Sequence, residues 1–288
     1  MRAPGTFFDL SRRWTWSKIF NAGMNGAVAL ATIAATIPLF SVLYMVAKKG
    51  LSAFRLSMLW QLPPGAGMEG GGFGNALLGT AIVVTLAAVL SVPVGIATAV
   101  FLTEFPGRKK TVQIVRLAAK ILSGLPSILA GVFIFAIVVV TTQKFSILAG
   151  ALALAVLMIP IITLATEEAL LRVPGMLREA ALGLGASNSQ AILQVIIPAA
   201  GPTILTGISL AVARAAGETA PLIFTALFSD YWIHSFFEPA ASMSVLIYNF
   251  SGVPYENQLN VAWAGSLVLI LVVLATNIIT QFFVAPRK

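Results

Sequence analysis

The chain has 288 residues, of which 58% are hydrophobic and 10% charged, and its 18 Lys and Arg against 10 Asp and Glu give a formal charge of +8. A soluble domain carries about 25% charged residues, so this composition excludes an ordinary water-soluble globule, and its apolar content excludes intrinsic disorder. With no cysteine and one histidine, disulfides, thiolate metal sites and two-histidine zinc sites are excluded as well.

Runs long enough for the roughly 20 apolar residues of a bilayer-crossing helix recur along the chain. The first, Ala22–Ala47, exceeds the 7–15-residue apolar region of a secretion signal and reads as a retained helix. The spans predicted in order are 22–47, 75–103, 121–142, 146–166, 199–228 and 261–285. They make an all-α polytopic membrane protein of six transmembrane helices, because backbone groups in lipid must be satisfied within each segment. The N-terminal segment 1–21, the loops after spans two and four, and the C-terminus together carry 13 Lys and Arg, against 4 in the other loops. The positive-inside rule therefore predicts that both termini are cytoplasmic. The same rule accounts for the basic excess without a nucleic-acid partner; the partner it requires is membrane lipid.

The loops differ in character. Residues 48–73 hold Pro63-Pro64 and a glycine cluster from Gly65 to Gly74, without the Gly-Lys-Ser/Thr of a phosphate-cradling loop, and read as a flexible external loop. The cytoplasmic loop 167–198 has Leu170, Leu171, Leu177, Leu182 and Leu184 at spacings that predict short amphipathic helices outside the membrane. Residues 229–260 form an external, aromatic-rich loop.

Arg214 and Glu218 interrupt the fifth span. A central Arg costs about 2.5–3.5 kcal/mol on insertion scales, so its retention points either to a solute path or to a mutually neutralised structural pair. Four residues apart, the two side chains share one helix face. An Arg keeps its charge and offers a planar fork of donors to oxyanions. Thr219 adds a hydroxyl, and Pro221 loosens the helix just beyond.

Glu179-Ala180-Ala181, followed after three residues by Gly185 and after nine more by Val195-Ile196-Ile197-Pro198, reads by itself as a solvated helix ended by a glycine in the left-handed region. The pattern resembles the EAA motif of ABC importer permeases. That resemblance implies the type I importer permease (MetI-like) fold. It also implies a coupling helix carried by Glu179, Ala180, Ala181, Gly185 and Pro198. A narrower resemblance links Ala213-Arg214-Ala215-Ala216-Gly217-Glu218-Thr219-Ala220-Pro221-Leu222 and Gly124-Leu125-Pro126-Ser127-Ile128 to phosphate-specific permeases. The second-span stretch from Pro93 to Phe105, with Glu104 near its end, belongs to the same pattern. The resemblance implies an anion path at Arg214, Glu218 and Thr219. It assigns helix packing or gating to Gly124, Pro126, Ser127, Gly217 and Pro221. It further implies a second permease subunit, a dimer of ATPase subunits that use ATP and Mg, and a periplasmic phosphate-binding protein. The place implied is the bacterial inner membrane, with no cofactor or metal bound by this chain.

Two other readings stay open at this stage. Sulfate, molybdate or tungstate would meet the same cation equally well. A motor-independent transporter or channel would explain Arg214 and Glu218 but not the 179–198 pattern. Enzymatic motifs are missing from the sequence: no Walker A, His-Glu-x-x-His or Gly-x-Ser-x-Gly occurs, and His234 falls in an external loop.

Overall fold

The computed structural model describes residues 16–105 and 109–284. Most of the predicted segment 1–21 and the end of span six lie outside them. Among the described residues every regular element is a helix. It divides after Lys48 into two units. The first holds most of α1 (Trp16–Ala53), which contains Pro38. Thr32 and Thr36 return their hydroxyls to the carbonyls of Val28 and Thr32, as polar side chains in a membrane helix must.

The second unit contains α2 (Gly74–Glu104), α3 (Lys109–Ser123), α4 (Ser127–Thr142) and α5 (Ile147–Leu171). These are followed by the short α6 (Gly175–Gly183), the long α7 (Asn188–Gly217), the single turn α8 (Ala220–Ile223), α9 (Met243–Ser251) and α10 (Glu256–Val284). Five helices are long and apolar enough to cross a membrane, and the count reaches six when the bent pair α3–α4 is taken as one broken span.

Burial sorts these elements around α5. Ala149, Ala151, Ala153, Leu154 and Ile162 are fully buried, and the small side chains let neighbouring backbones approach, the main device for helix association in lipid. One cluster joins α5 to Val83 and Ala87 of α2, Ala211 and Ala215 of α7, and Leu222 of α8. A second gathers Phe73, Met243, Leu246 and Val261 around the glycine-rich loop. A third joins Ala99, Leu170, Ile196 and Ile204 at the opposite end of α2.

Several boundaries differ from the sequence reading. The third span starts at Ser127, because Gly124-Leu125-Pro126 breaks the helix and bends it by 103°. Residues 121–123 instead end the amphipathic α3. The fifth span ends at Gly217, not at 228. Its helix begins at Asn188, where Ser187 and Gln190 form a capping box. The helix runs through Pro198 because a π turn over Ala191–Ile196 absorbs the missing N–H. The fourth span continues to Leu171, taking Leu170 and Leu171 out of the loop. Residues 229–260 contain α9 and the start of α10. The glycine-rich loop is anchored: the N–H groups of Gly72, Phe73 and Gly74 donate to Leu62, Met58 and Gln61. Asn257 and Gln258 at the start of α10 donate to Met68, Gly70 and Pro64.

The packing of α2 against the chain before α9 makes a direct prediction. A Cβ on Gly79 would sit 1.9 Å from the Ala241 carbonyl oxygen, whereas one on Gly201 of α7 would meet nothing. Gly79→Ala is expected to destabilise the protein by about 1–3 kcal/mol. Gly201→Ala is expected to be neutral or slightly stabilising. Thermal unfolding in detergent, followed by tryptophan fluorescence, measures both.

Candidate functional site

α7 stops at Gly217. Proline at 221 has no N–H to give the Gly217 carbonyl and its ring crowds that position, which favours the break seen here. Glu218 takes extended backbone, and the chain restarts as α8 with Pro221 in its first turn. Arg214 and Glu218 therefore meet across a helix terminus, not on one continuous face. The Arg214 Nε lies 3.3 Å from Glu218 Oε1. The guanidinium is half exposed, while the carboxylate is only 14% exposed. A cation in this last turn also complements the negative end of the helix dipole. Among the described residues, Glu218 is the one side chain that Arg214 hydrogen-bonds, which leaves donors of its five-N–H fork for another acceptor.

The surrounding chain is fixed by its backbone. The Ser244 hydroxyl donates to the Glu218 carbonyl at 2.7 Å. The Thr219 carbonyl accepts from Leu222 and Ile223, while its side chain makes no cap bond. Pro221 is buried, and a Cβ on Gly131 of α4 would fall 2.6 Å from Pro221 Cα. Gly131, which the sequence reading did not single out, is thus where α4 presses on the break; an isolated glycine in an apolar helix was the available signal. Within this chain a Cβ on Gly217 meets nothing, and one on Gly124 reaches only carbonyls of its own preceding turn. Gly124 and Pro126 build the elbow, and Ser127 opens α4.

The EAA segment forms α6. Glu179 and Ala180 are exposed, and Ala181 is buried. Gly185 has φ +88°. Its N–H donates to Leu182 and that of Ala186 to Ala181, at 3.0 and 3.1 Å, the paired bonds of a Schellman cap. Pro198 lies in α7, away from this cap in sequence and not at a loop end.

Two ion pairs escaped the sequence reading. Arg178 of α6 holds Glu104, the last residue of α2, with Nη2–Oε1 at 2.5 Å; the carboxylate is 4% exposed. A carboxylate at a helix C-terminus opposes the dipole, and Arg178 offsets that cost. Arg116 of α3 contacts Glu167 of α5 through Nε at 2.7 Å and Nη2 at 2.5 Å. Partners 74 and 51 residues apart leave no periodic trace in sequence. The charged groups of α2, α5 and α6 were visible, but not their pairing.

Residues 91–286 match the sequence profile of a family described as the binding-protein-dependent transport system inner membrane component. The chain belongs to this family. Among curated relatives of this permease is the phosphate transport system permease protein PstA of Haemophilus influenzae, 38% identical over 276 residues, covering 96% of this chain and 98% of the relative. PstA of Xylella fastidiosa is 42% identical over 231 residues, 80% of each chain. A probable PstA of Methanocaldococcus jannaschii is 34% identical over 86% of this chain and 88% of the relative. In fold, the permease resembles a chain of the MetNI methionine ABC transporter solved in inward-facing conformations. The TM-score is 0.58 at 20% identity, covering 74% of this chain and 93% of that one. The fold is thus that of a type I ABC importer permease.

Two predictions follow from α6 and its clamp. Gly185→Val forces a β-branched residue into the left-handed region and is expected to cost about 1–3 kcal/mol; faster hydrogen exchange at the Gly185 and Ala186 amides would report the lost cap. Arg178→Ala strands a buried carboxylate and should cost about 3 kcal/mol. Arg172→Ala, which breaks the exposed pair with Glu168, should cost under about 0.5 kcal/mol. Glu104→Gln in the Arg178→Ala background should recover part of the loss, measured as a double-mutant cycle of thermal unfolding.

Proposed function

We propose that this permease is one of two transmembrane subunits of an ATP-driven importer of inorganic phosphate, lining half of the translocation path in the bacterial inner membrane with both termini cytoplasmic. The observation that carries this reading is the end-to-end match to relatives named as phosphate transport permeases. The chemistry at the end of α7 supports it. The relatives it matches are named PstA, so the partners are a PstC-like permease, a PstB-like ATPase dimer and a PstS-like phosphate-binding protein.

Arg214 remains a cation under all physiological conditions. In this structure Glu218 occupies one edge of its guanidinium. An arriving phosphate competes for the same fork, so that Arg214 exchanges one anion for another and stays paired. The Thr219 hydroxyl provides an additional donor beside the exchange. Glu179 to Gly185 form the segment that docks on an ATPase subunit. The Glu104–Arg178 pair ties that segment to α2, so that closure of the motor on ATP moves the helices around the path. This chain supplies no ATPase motif and binds no cofactor of its own; ATP and Mg are used by the partner subunits.

The test is radiolabelled phosphate uptake into proteoliposomes that hold the whole complex, with ATP inside and binding protein outside. Arg214→Gln is expected to cut uptake by at least tenfold, about 1.4 kcal/mol or more in the transport barrier, while the complex still purifies intact. Sulfate and molybdate should compete poorly. Normal uptake by the intact variant would make Arg214 a structural residue, and preferential competition by another oxyanion would reassign the substrate.

A further inference from the structure

α3 carries Lys109, Lys110, Arg116 and Lys120 and no acidic residue. At 100° per residue its side chains divide into three faces. Val112 and Ala119 are buried, on the side where Arg116 reaches Glu167 of α5. Beside them runs a polar row of Lys109, Gln113, Arg116 and Lys120. Ile114, Leu117 and Ile121 make the third face, with Lys110 at its N-terminal end, and the three apolar side chains are 67%, 59% and 56% exposed. The 103° elbow sets α3 close to perpendicular to α4, so where α4 crosses the bilayer, α3 runs along its surface. At the elbow, Leu122 of α3 lines an apolar groove of about 260 Å³ together with residues that include Leu125, Leu129, Phe133 and Leu157.

From this geometry we infer that α3 is an interfacial helix that binds anionic phospholipid. Its apolar row sinks into the acyl boundary, its lysines meet the negative headgroups, and the elbow groove takes an acyl chain. A basic row beside an apolar row, on a helix lying in the membrane plane, is the arrangement that such a surface selects. The long lysine stems reach the headgroup level while their methylenes cover apolar surface. The absence of any carboxylate on α3 makes the charge complementarity one-sided. The inference requires only that the chain spans a membrane, and it holds whichever solute is carried.

The natural chain contains no cysteine, so single spin labels report on α3 directly. In the full-length protein in bilayers of phosphatidylcholine and phosphatidylglycerol, a label at Ile121→Cys should be accessible to oxygen and shielded from a water-soluble nickel chelate. A label at Gln113→Cys should show the reverse. Nickel access at 121 places that face in water, and shielding from both reagents places it under a protein partner; either result overturns the inference. Native mass spectrometry of the unlabelled protein should show phosphatidylglycerol retained over phosphatidylcholine. Lys109→Gln with Lys120→Gln should weaken that retention by roughly fivefold per lysine. Equal retention of the two lipids by the unsubstituted protein would overturn the inference without reference to any variant. So would displacement of the lipid by inorganic phosphate at constant ionic strength, which would assign the lysines to a soluble anion.

Discussion

The close packing of α5 is the interaction on which the other elements depend. Lipid offers no hydrophobic drive to bring helices together, so contact area and small side chains must do it. α5 meets that need with an alanine-rich sequence, and two-thirds of its apolar core is buried by its neighbours. Its start is tied to the loops: Ser146 caps Ala149, and the N–H groups of Ser146, Ile147 and Leu148 donate to Thr225, Glu238 and Phe236. Its far end carries Glu167, which receives Arg116 from α3. One helix therefore positions both the chain after the α7 break and the elbow before α4.

The break itself is a cost accepted where it is useful. Non-helical backbone at membrane depth is tolerated only where protein surrounds it or water fills the space beside it. Here protein packs against it. α4 presses on Pro221 through Gly131, and Ser244 satisfies the Glu218 carbonyl, while the guanidinium of Arg214 stays half exposed. The helix end aims its negative pole at a permanent cation, and the extended Glu218 can face that cation only because it has left the helix. A straight helix from 199 to 228 would carry the same two residues without this terminus.

Mechanical connection at the other end relies on ion pairs rather than on packing alone. α6 has only nine residues and buries only Ala181, too little for an independent helix. A Schellman cap at Gly185 closes its own end, and the Arg178–Glu104 pair ties it to the end of α2.

The sequence alone determined the class, most of the spans and the residues with unusual chemistry. Those properties depend on composition, on the length of apolar runs and on motifs of contiguous residues, such as Glu179 to Gly185, whose predicted left-handed glycine has φ +88°. Only the tertiary structure decided where α7 ends, because proline's effect on a helix depends on whether the freed groups find partners such as Ser244. It also decided that Gly131 meets Pro221 and that Arg178 and Arg116 pair with Glu104 and Glu167. It decided, too, that residues 109–123 form a helix bent away from the third span. Each of these joins positions far apart in the chain. Local periodicity records the face a residue occupies, but the partner on the opposing face is set only when the helices pack.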